Sequence, residues 1–519
     1  MPKLLGSKGV NTFLSGVLSL SASTVIVKII GLVYKIPMLS LVTGEGMGYF
    51  NSAYEIYALL CIVSITGLPV AMSVIISRDG DSRRAKGVFS LSLGLFSIIG
   101  IVSTALMVIL SREISLYLKS EKAIWCIIAI APSLAFVCMG SAYKGYFQGM
   151  SEMKPICVSG IIEAASKLIF GLLLAKIASE LGFSNNIVAA FGVFSISLGS
   201  FISLLYFVFY KKRLDKRLGP EEKITLGASQ RRKIFSDLIK ISFPATLSSL
   251  LISLTRVIDM IMILRRLQDI GYSSADANMM YGSFTTMAIP IFSLASALVA
   301  SITVPLIPEL SRAASSGDIR GQEERISCAI SLTAYISCPA MIGISLFSRE
   351  ILELIFKGQS EGIAISAPLL SCLGFSVLTS VLITLTNAML QAYSRASKPI
   401  VSMSVGCAMK IILSFILIGN EKINILGAPI GTFFCDLIIC ILNFLFLFKY
   451  FKGKVSFRKT ILEPTVCSAL AIVPIFFVMR ALEARIYGSL LTAACIGAAG
   501  LLYLIFAGRK ILKLKDLGE

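Results

Sequence analysis

The chain contains no histidine, a single tryptophan and few charged residues. Of its 519 residues, 15% are charged and 56% are hydrophobic, and the mean hydropathy is +0.86. Without histidine, the side chain that most often transfers protons near neutral pH is missing. The shortage of charge excludes a water-soluble protein of this size, because a soluble surface needs more polar side chains. The composition therefore predicts a polytopic membrane protein.

Several motifs of catalysis and cofactor binding are also missing. The 12 cysteines form no CxxC pair and lie in or beside apolar runs, so we interpret them as small core residues. No loop carries the phosphate-binding pattern GxxxxGK[ST], and no extracytoplasmic loop is long enough for a domain. We therefore expect no metal and no cofactor, and any transport work would use a coupling ion, the membrane potential or a substrate gradient.

Long apolar runs dominate what is present. A spanning helix needs about 20 consecutive apolar residues, whereas a β-barrel strand would show a short alternating pattern. The sequence predicts an all-α polytopic fold with about 14 transmembrane helices, arranged as two parallel-repeat six-helix lobes plus two C-terminal helices. The predicted runs are 10–34, 47–77, 86–110, 121–147, 156–178, 187–210, 237–264, 278–305, 326–347, 363–392, 399–419, 425–448, 460–480 and 486–507.

Two pairs of similar segments along the chain indicate an internal repeat of six spans. QGMSEMKPI at 148–156 returns as QAYSRASKPI at 391–400, and IISR at 75–78 returns as ELSR at 309–312. Six spans per unit give both units the same orientation, so we expect the substrate site between the two lobes, as in other parallel-repeat transporters. The predicted domains are an N-lobe at 1–210, a basic cytoplasmic linker at 211–235, a C-lobe at 236–450, and the last two helices with a cytoplasmic tail at 451–519.

The net charge of +19 follows from 48 Lys and Arg against 29 Asp and Glu. The cations concentrate in the loops assigned to the cytoplasm, which predicts a cell-membrane protein with both termini cytoplasmic. The richest loop, KKRLDKRLGPEEKITLGASQRRK at 211–233, has no aromatic residues between its cations. It therefore favours anionic lipid headgroups over nucleic acid as partners.

Some charges lie within the apolar runs, where each costs about 2.5 to 3.5 kcal/mol at the bilayer centre. Lys28 and Lys35 lie on nearly the same helix face of ASTVIVKIIGLVYKIP at 22–37. Arg256 lies at a similar depth on the seventh span, the repeat equivalent of the first, so we expect these cations to converge on an anionic ligand. An interfacial Lys35, or an Arg256 that only pairs with Asp259, is the alternative. The other interior charges, considered for a cavity or for ion coupling, are Glu55, Asp259, Lys167, Lys410, Glu163 and Asp436.

Two stretches carry a family resemblance. GMGYFNSAYEIYALLCIVSITGLPVAMSVIISR at 46–78 and YKGYFQGMSEMKP at 143–155 resemble the stage V sporulation protein B type of polysaccharide-transport flippase. This type belongs to the multidrug/oligosaccharidyl-lipid/polysaccharide (MOP) exporter superfamily and is related to the lipid II flippases. The resemblance implies two lobes, alternating access, and transfer of an undecaprenyl-pyrophosphate-linked saccharide such as lipid II, with a role in sporulation. It also implies that Lys28, Lys35 and Arg256 bind the pyrophosphate, and that the two extra helices hold the lipid tail.

Other functions stay open at this point. A multidrug or metabolite antiporter of the same superfamily is the nearest alternative, although a drug exporter would be expected to have more interior acids. A membrane-embedded transferase acting on lipid-linked sugars would need a positioned acid or base and commonly a loop domain. We therefore expect a transporter that is not an enzyme, and that works as a monomer on a lipid-linked sugar among membrane lipids.

Overall fold

The chain folds into helices throughout the part that the structure describes. Within that part every regular element is a helix, and ten helices are long and apolar enough to cross a membrane. These observations confirm the predicted all-α polytopic fold. The computed structural model describes residues 7–79, 82–150, 152–218, 227–395, 397–451, 453–483 and 489–516.

Every predicted apolar run coincides with helix in the described residues, and positions 486–488 of the last run lie outside them. Two short helices, α4 and α13, were not predicted. The α-helices are α1 (Ser7–Ile62), α2 (Leu68–Asp79), α3 (Ser82–Ile109), α4 (Ser111–Tyr117), α5 (Ile124–Ile130), α6 (Pro132–Gly149), α7 (Lys154–Glu180), α8 (Asn185–Leu218), α9 (Ala228–Asp269), α10 (Ser274–Ser283), α11 (Ile289–Ser315), α12 (Ile319–Leu346), α13 (Ser348–Ile355), α14 (Ser360–Ala392), α15 (Ser397–Ile418), α16 (Gly427–Tyr450), α17 (Glu463–Glu483) and α18 (Ser489–Asp516).

Helix α1 is bent back on itself at Thr43, where φ is 66° and ψ is 171°. In a straight helix Tyr34 and Phe50 would lie about 24 Å apart, but their ring centroids are 6.2 Å apart. The residues on either side of Thr43 therefore form two arms that pack side by side, which we call the first arm (7–42) and the second arm (44–62). They contain the first predicted span and most of the second.

Three π-helical turns interrupt the helical runs. Each turn ends two residues before a proline, namely Pro69, Pro290 or Pro464. Proline lacks an N–H and its ring crowds the carbonyl four residues earlier, and a π-helical turn is a local widening that relieves this crowding. The chain therefore stays helical through these prolines. The turns are Val63–Gly67, Phe284–Ala288 and Arg458–Leu462.

The chain divides into two compact units, Met1–Leu264 and Arg265–Glu519. The division falls inside α9, so most of this helix belongs to the first unit. The predicted domain boundaries at the 211–235 linker and at residue 450 stay predictions, and positions 219–226 of the linker lie outside the described residues.

Aromatic side chains fill the core of the first unit. Tyr146 and Phe147, from the YKGYFQG stretch, are fully buried. Tyr143 from the same stretch stacks on Phe207 with ring centroids 6.0 Å apart, and meets Phe89 edge-on at 4.9 Å. Helices in water-soluble proteins attract each other mainly because their apolar side chains leave water. Inside a lipid bilayer that contribution is missing, and van der Waals packing of side chains supplies the attraction instead. This family-like stretch therefore holds α3, α6 and α8 together.

The second unit includes the two C-terminal helices. Buried side chains of α17 and α18, among them Met479 and Tyr503, form one apolar cluster with Tyr335 of α12 and with Phe347. The Tyr503 hydroxyl donates a hydrogen bond to the Tyr335 carbonyl oxygen. These helices therefore pack on α12 and Phe347 through side chains from several of their turns.

Helices α4 and α13 contain a further pair of identical segments. Both begin with Ser-Arg-Glu-Ile, at 111–114 and at 348–351. Each follows the third span of its six-span half, α3 or α12. The same tetrapeptide at the same structural position agrees with the predicted repeat.

Candidate functional site

Six interior charges of the first unit lie on three helices. Lys35 and Glu55 lie on the two arms of α1, and the fold at Thr43 brings these arms together. Glu163 and Lys167 lie one turn apart on α7. Arg256 and Asp259 lie on the part of α9 that belongs to this unit. We call these six side chains the charged cluster.

Arg256 pairs with a carboxylate from another helix. Its Nε lies 3.8 Å from Oε2 of Glu55, and its Nη2 donates a 3.3 Å hydrogen bond to the Ser253 hydroxyl. The Glu55 side chain is 17% exposed, whereas that of Arg256 is 50% exposed. The guanidinium therefore keeps donors accessible while the carboxylate stays covered.

Lys35 also acts on Glu55. Its ammonium attracts the Glu55 carboxylate and is repelled by the ammonium of Lys167. The structure thus brings two of the three predicted anion-binding cations, Lys35 and Arg256, to one carboxylate. The repulsion between the Lys35 and Lys167 ammonium groups favours an anion in their neighbourhood, because opposite charge lowers the energy of both.

Lys167 is held between two tyrosine rings. Its Nζ lies 5.3 Å from the ring centroid of Tyr34 and 5.4 Å from that of Tyr54, one ring from each arm of α1. Both distances fall in the range of cation–π attraction. The Tyr34 hydroxyl donates a 3.2 Å hydrogen bond to the Gly192 carbonyl oxygen on α8. This contact fixes the ring that faces the ammonium.

Glu163 is oriented by α8. The Ser200 hydroxyl donates a 3.3 Å hydrogen bond to Oε1 of Glu163. The neighbouring Gly199 lets the helices approach closely, since a Cβ there would lie 2.9 Å from the Glu163 carbonyl oxygen. Lys167 is close enough to interact electrostatically with Glu163.

The charged cluster is formally balanced. Lys35, Lys167 and Arg256 stand against Glu55, Glu163 and Asp259, so the six formal charges sum to zero. A site formed by cations alone would carry a net positive charge, and this cluster does not. The physical reason is that a low-dielectric interior tolerates several cations only beside counter-charges.

The remaining predicted residues are not among the six side chains of the charged cluster. Lys28 is exposed on the first arm and makes no hydrogen bond or ion pair within the described residues. In the second unit, Lys410 of α15 is 7% exposed, and Asp436 is half-buried on α16, which packs against α15. Their binding or coupling roles stay predictions. No group of three His, Cys, Asp or Glu in the described residues could hold a metal ion.

Three residues that contact the charged cluster, and one further interior cation, were missed from the sequence. Tyr34, Tyr54 and Ser200 are uncharged, so a search for charges inside apolar runs passes over them. Lys144 is a half-buried cation on α6 whose charge acts on the Cys61 thiol of the second arm. Its place inside an apolar run was the signal that would have identified it.

The chain resembles known membrane proteins in sequence. The family model described as polysaccharide biosynthesis protein matches residues 13–314. The chain is 24% identical to stage V sporulation protein B of Bacillus subtilis, over 81% of this chain and 80% of that protein. It is 23% identical to lipid II flippase MurJ of the same organism, over 88% of this chain and 87% of that protein.

Solved structures show the same fold. Lipid II flippase MurJ in an inward closed conformation superposes with a TM-score of 0.71 at 17% identity, covering 96% of this chain and 99% of that one. An inward-facing multidrug resistance MATE transporter of the MOP superfamily gives a TM-score of 0.66 at 16% identity, covering 84% of this chain and 98% of that one. The relatives and the shared fold show that this chain is a multi-pass membrane transporter and not an enzyme, and the family match shows that it belongs to the polysaccharide biosynthesis protein family.

Proposed function

We propose that the protein is a flippase that moves an undecaprenyl-pyrophosphate-linked saccharide across the cytoplasmic membrane by alternating access. A peptidoglycan precursor such as lipid II is the cargo we expect, and spore cortex synthesis is the expected setting. Support comes from the similarity to a sporulation protein and to a lipid II flippase. We further propose that both termini lie in the cytoplasm and that the protein works as a monomer.

The observation that carries this proposal is the half-exposed guanidinium of Arg256, which acts on the same Glu55 carboxylate as Lys35. Arg256 lies within a helix of the transport fold, yet 50% of its side chain is accessible. A guanidinium can bind two phosphoryl oxygens at once, and an ammonium nearby adds a mobile point charge. We propose that Arg256 and Lys35 bind the pyrophosphate, and that Lys28, exposed on the first arm, contacts it during entry or exit.

The test is leaflet transfer by the purified protein in vesicles. Fluorescent lipid II and a neutral-headed lipid carrying the same fluorophore are followed in parallel. We expect transfer of lipid II alone, and we expect Lys28→Ala combined with Arg256→Ala to abolish it while the helical circular dichroism is retained. Lys122→Ala, which removes an exposed cation from the same unit, is the matched control. Equal transfer by the double variant would reject the anion site.

A second candidate function is export of organic cations. The balanced charged cluster favours it, because Glu55 and Glu163 could attract a cationic guest once their partners move. A MATE transporter also shares the fold. Uptake of tetraphenylphosphonium into the same vesicles distinguishes the two functions, since accumulation without lipid II transfer would favour the exporter.

A further inference from the structure

The Glu55 carboxylate is covered, and its contact with the Arg256 guanidinium is long. Its Oε2 is buried and accepts no hydrogen bond within the described residues. The nearest cationic nitrogen, Nε of Arg256, is 3.8 Å away, beyond hydrogen-bonding distance. Asp259 adds repulsion from a like charge. A buried anionic oxygen without a hydrogen bond is costly and calls for an explanation in the way the protein works.

Arg256 is the other half of this loose pair. Its fork of five N–H donors suits a planar, bidentate acceptor. Within the described residues it makes one long ion pair and one 3.3 Å hydrogen bond. Short, charge-assisted bonds to phosphoryl oxygens would be stronger than the present contact. An arriving phosphate can therefore take Arg256 away from Glu55.

Because the charged cluster is balanced, the displacement of Arg256 from Glu55 also changes the free energy of the loaded transporter. An anion that binds Arg256 leaves the Glu55 carboxylate with less compensation in a covered position, which raises the free energy of the loaded state. When the anion leaves, the carboxylate regains its partner. A transporter needs a site that binds strongly enough to load and weakly enough to release.

We propose that Glu55 is an internal competitor for the phosphorylated head of the substrate. Its carboxylate holds Arg256 in the empty transporter, is displaced when the head binds, and returns as the head is released. Glu55 thus sets the affinity and the release rate of the site without contacting the cargo. This inference rests on the proposed function, because it takes a phosphorylated head as the ligand of Arg256.

The first experiment measures binding. Farnesyl pyrophosphate, a soluble prenyl pyrophosphate, is titrated calorimetrically into the detergent-purified protein. We expect Glu55→Gln to bind it about fivefold more tightly than the unaltered protein, because a partly exposed ion pair no longer competes. Glu55→Asp keeps the charge but shortens the side chain, and we expect an intermediate affinity from it. The matched control is Glu45→Gln, which removes a carboxylate 3.7 Å from Lys122, and we expect its affinity to be unchanged.

The second experiment measures release. At saturating lipid II in vesicles, we expect Glu55→Gln to transfer lipid several-fold more slowly despite its tighter binding, a split that a merely structural role would not produce. Equal or weaker binding by a folded Glu55→Gln, or by Glu55→Asp where the Gln variant does not fold, overturns the competitor role. No binding of farnesyl pyrophosphate by the unaltered protein would instead reject the proposed anion site itself.

Discussion

Two glutamate–arginine pairs, one in each unit, differ in how firmly they are held. In the second unit, Oε1 of Glu350 on α13 lies 3.1 Å from Nη2 of Arg480 on α17, and the Glu350 side chain is 4% exposed. The Arg480 guanidinium also lies 5.2 Å from the Phe476 ring centroid. In the first unit, Glu55 and Arg256 are 3.8 Å apart. Each pair joins two helices and each arginine side chain is 50% exposed, so the pairs differ in their distance and in how completely the carboxylate is covered.

The difference shows that the distance and the cover of a buried ion pair decide whether it stabilises the fold or exchanges with a ligand. A short contact supported by an aromatic ring positions helices and is costly to break. A long contact to a less completely covered carboxylate gives little stability and suits exchange with a ligand. The Ser-Arg-Glu-Ile sequence that begins both α4 and α13 also shows that the surroundings decide the role of a glutamate. Glu113 at the start of α4 is exposed, whereas its equivalent Glu350 is buried. Helix α17 supplies Arg480 as a partner of Glu350.

The largest effect on stability should come from breaking the tight pair. Arg480→Met keeps an apolar side chain but leaves the Glu350 carboxylate buried without its guanidinium. We expect the free energy of unfolding to fall by about 2 kcal/mol, the value being reduced because Arg480 is half-exposed. Denaturant unfolding in detergent, followed by circular dichroism, measures this change.

The double variant Glu350→Gln with Arg480→Met is the control for that experiment. It removes the stranded carboxylate, so we expect it to regain part of the lost stability. A single variant as stable as the unaltered protein would show that the two pairs do not differ as their geometries indicate.

A smaller effect is expected at the contact between α7 and α8 that supports the charged cluster. In Gly199→Ala the new methyl group would meet the Glu163 carbonyl oxygen at 2.9 Å, so the helices must separate. We expect the free energy of unfolding to fall by about 1 to 2 kcal/mol, and lipid II transfer to slow because Ser200 and Glu163 shift apart. Thermal unfolding and the vesicle assay measure these two effects.

Gly94→Ala on α3 provides the comparison for Gly199→Ala, since a Cβ there meets nothing within 4 Å. Alanine is the better helix former, so this variant should be as stable as the unaltered protein or slightly more stable. A similar loss in both variants would mean that close approach at Gly199 is not the cause.

The smallest effect belongs to a third ion pair. Lys122 Nζ lies 3.7 Å from Glu45 Oε1, nearly the distance of the Glu55 pair, but its side chain is 64% exposed. We expect Lys122→Ala to change the free energy of unfolding by less than about 0.5 kcal/mol and to leave lipid II transfer unchanged. A clear loss of transfer would show that distance, and not position on the fold, explains the role of the Glu55 pair.

Much of the architecture could be predicted from sequence periodicity and composition. Continuous apolar runs place the helices, because the bilayer requires long spans with internally satisfied backbones. The short helices α4 and α13 were missed because each spans about two turns and carries charges at its start. The bend at Thr43 was missed as well, since its backbone conformation is one that glycine normally adopts.

The candidate site was predicted in part. Lys35, Arg256, Glu55 and Asp259 could be named because charge inside an apolar run is costly wherever it lies. The partners could not be assigned, since Asp259 is one turn from Arg256 on its own helix and Glu55 is on another. Which carboxylate Arg256 meets depends on the rotation and depth of α9 against α1, and no local pattern encodes these.

By itself, the sequence determined that the chain is a many-span helical membrane protein with charges retained inside its spans, because these properties depend on composition and periodicity along one dimension. The tertiary structure decided which charges meet. It folded α1 back at Thr43, placed Lys167 between Tyr34 and Tyr54, and set Glu55 against Arg256 at a distance that binds weakly. Electrostatic energy depends on separation and exposure in three dimensions, and only the packed helices fix both.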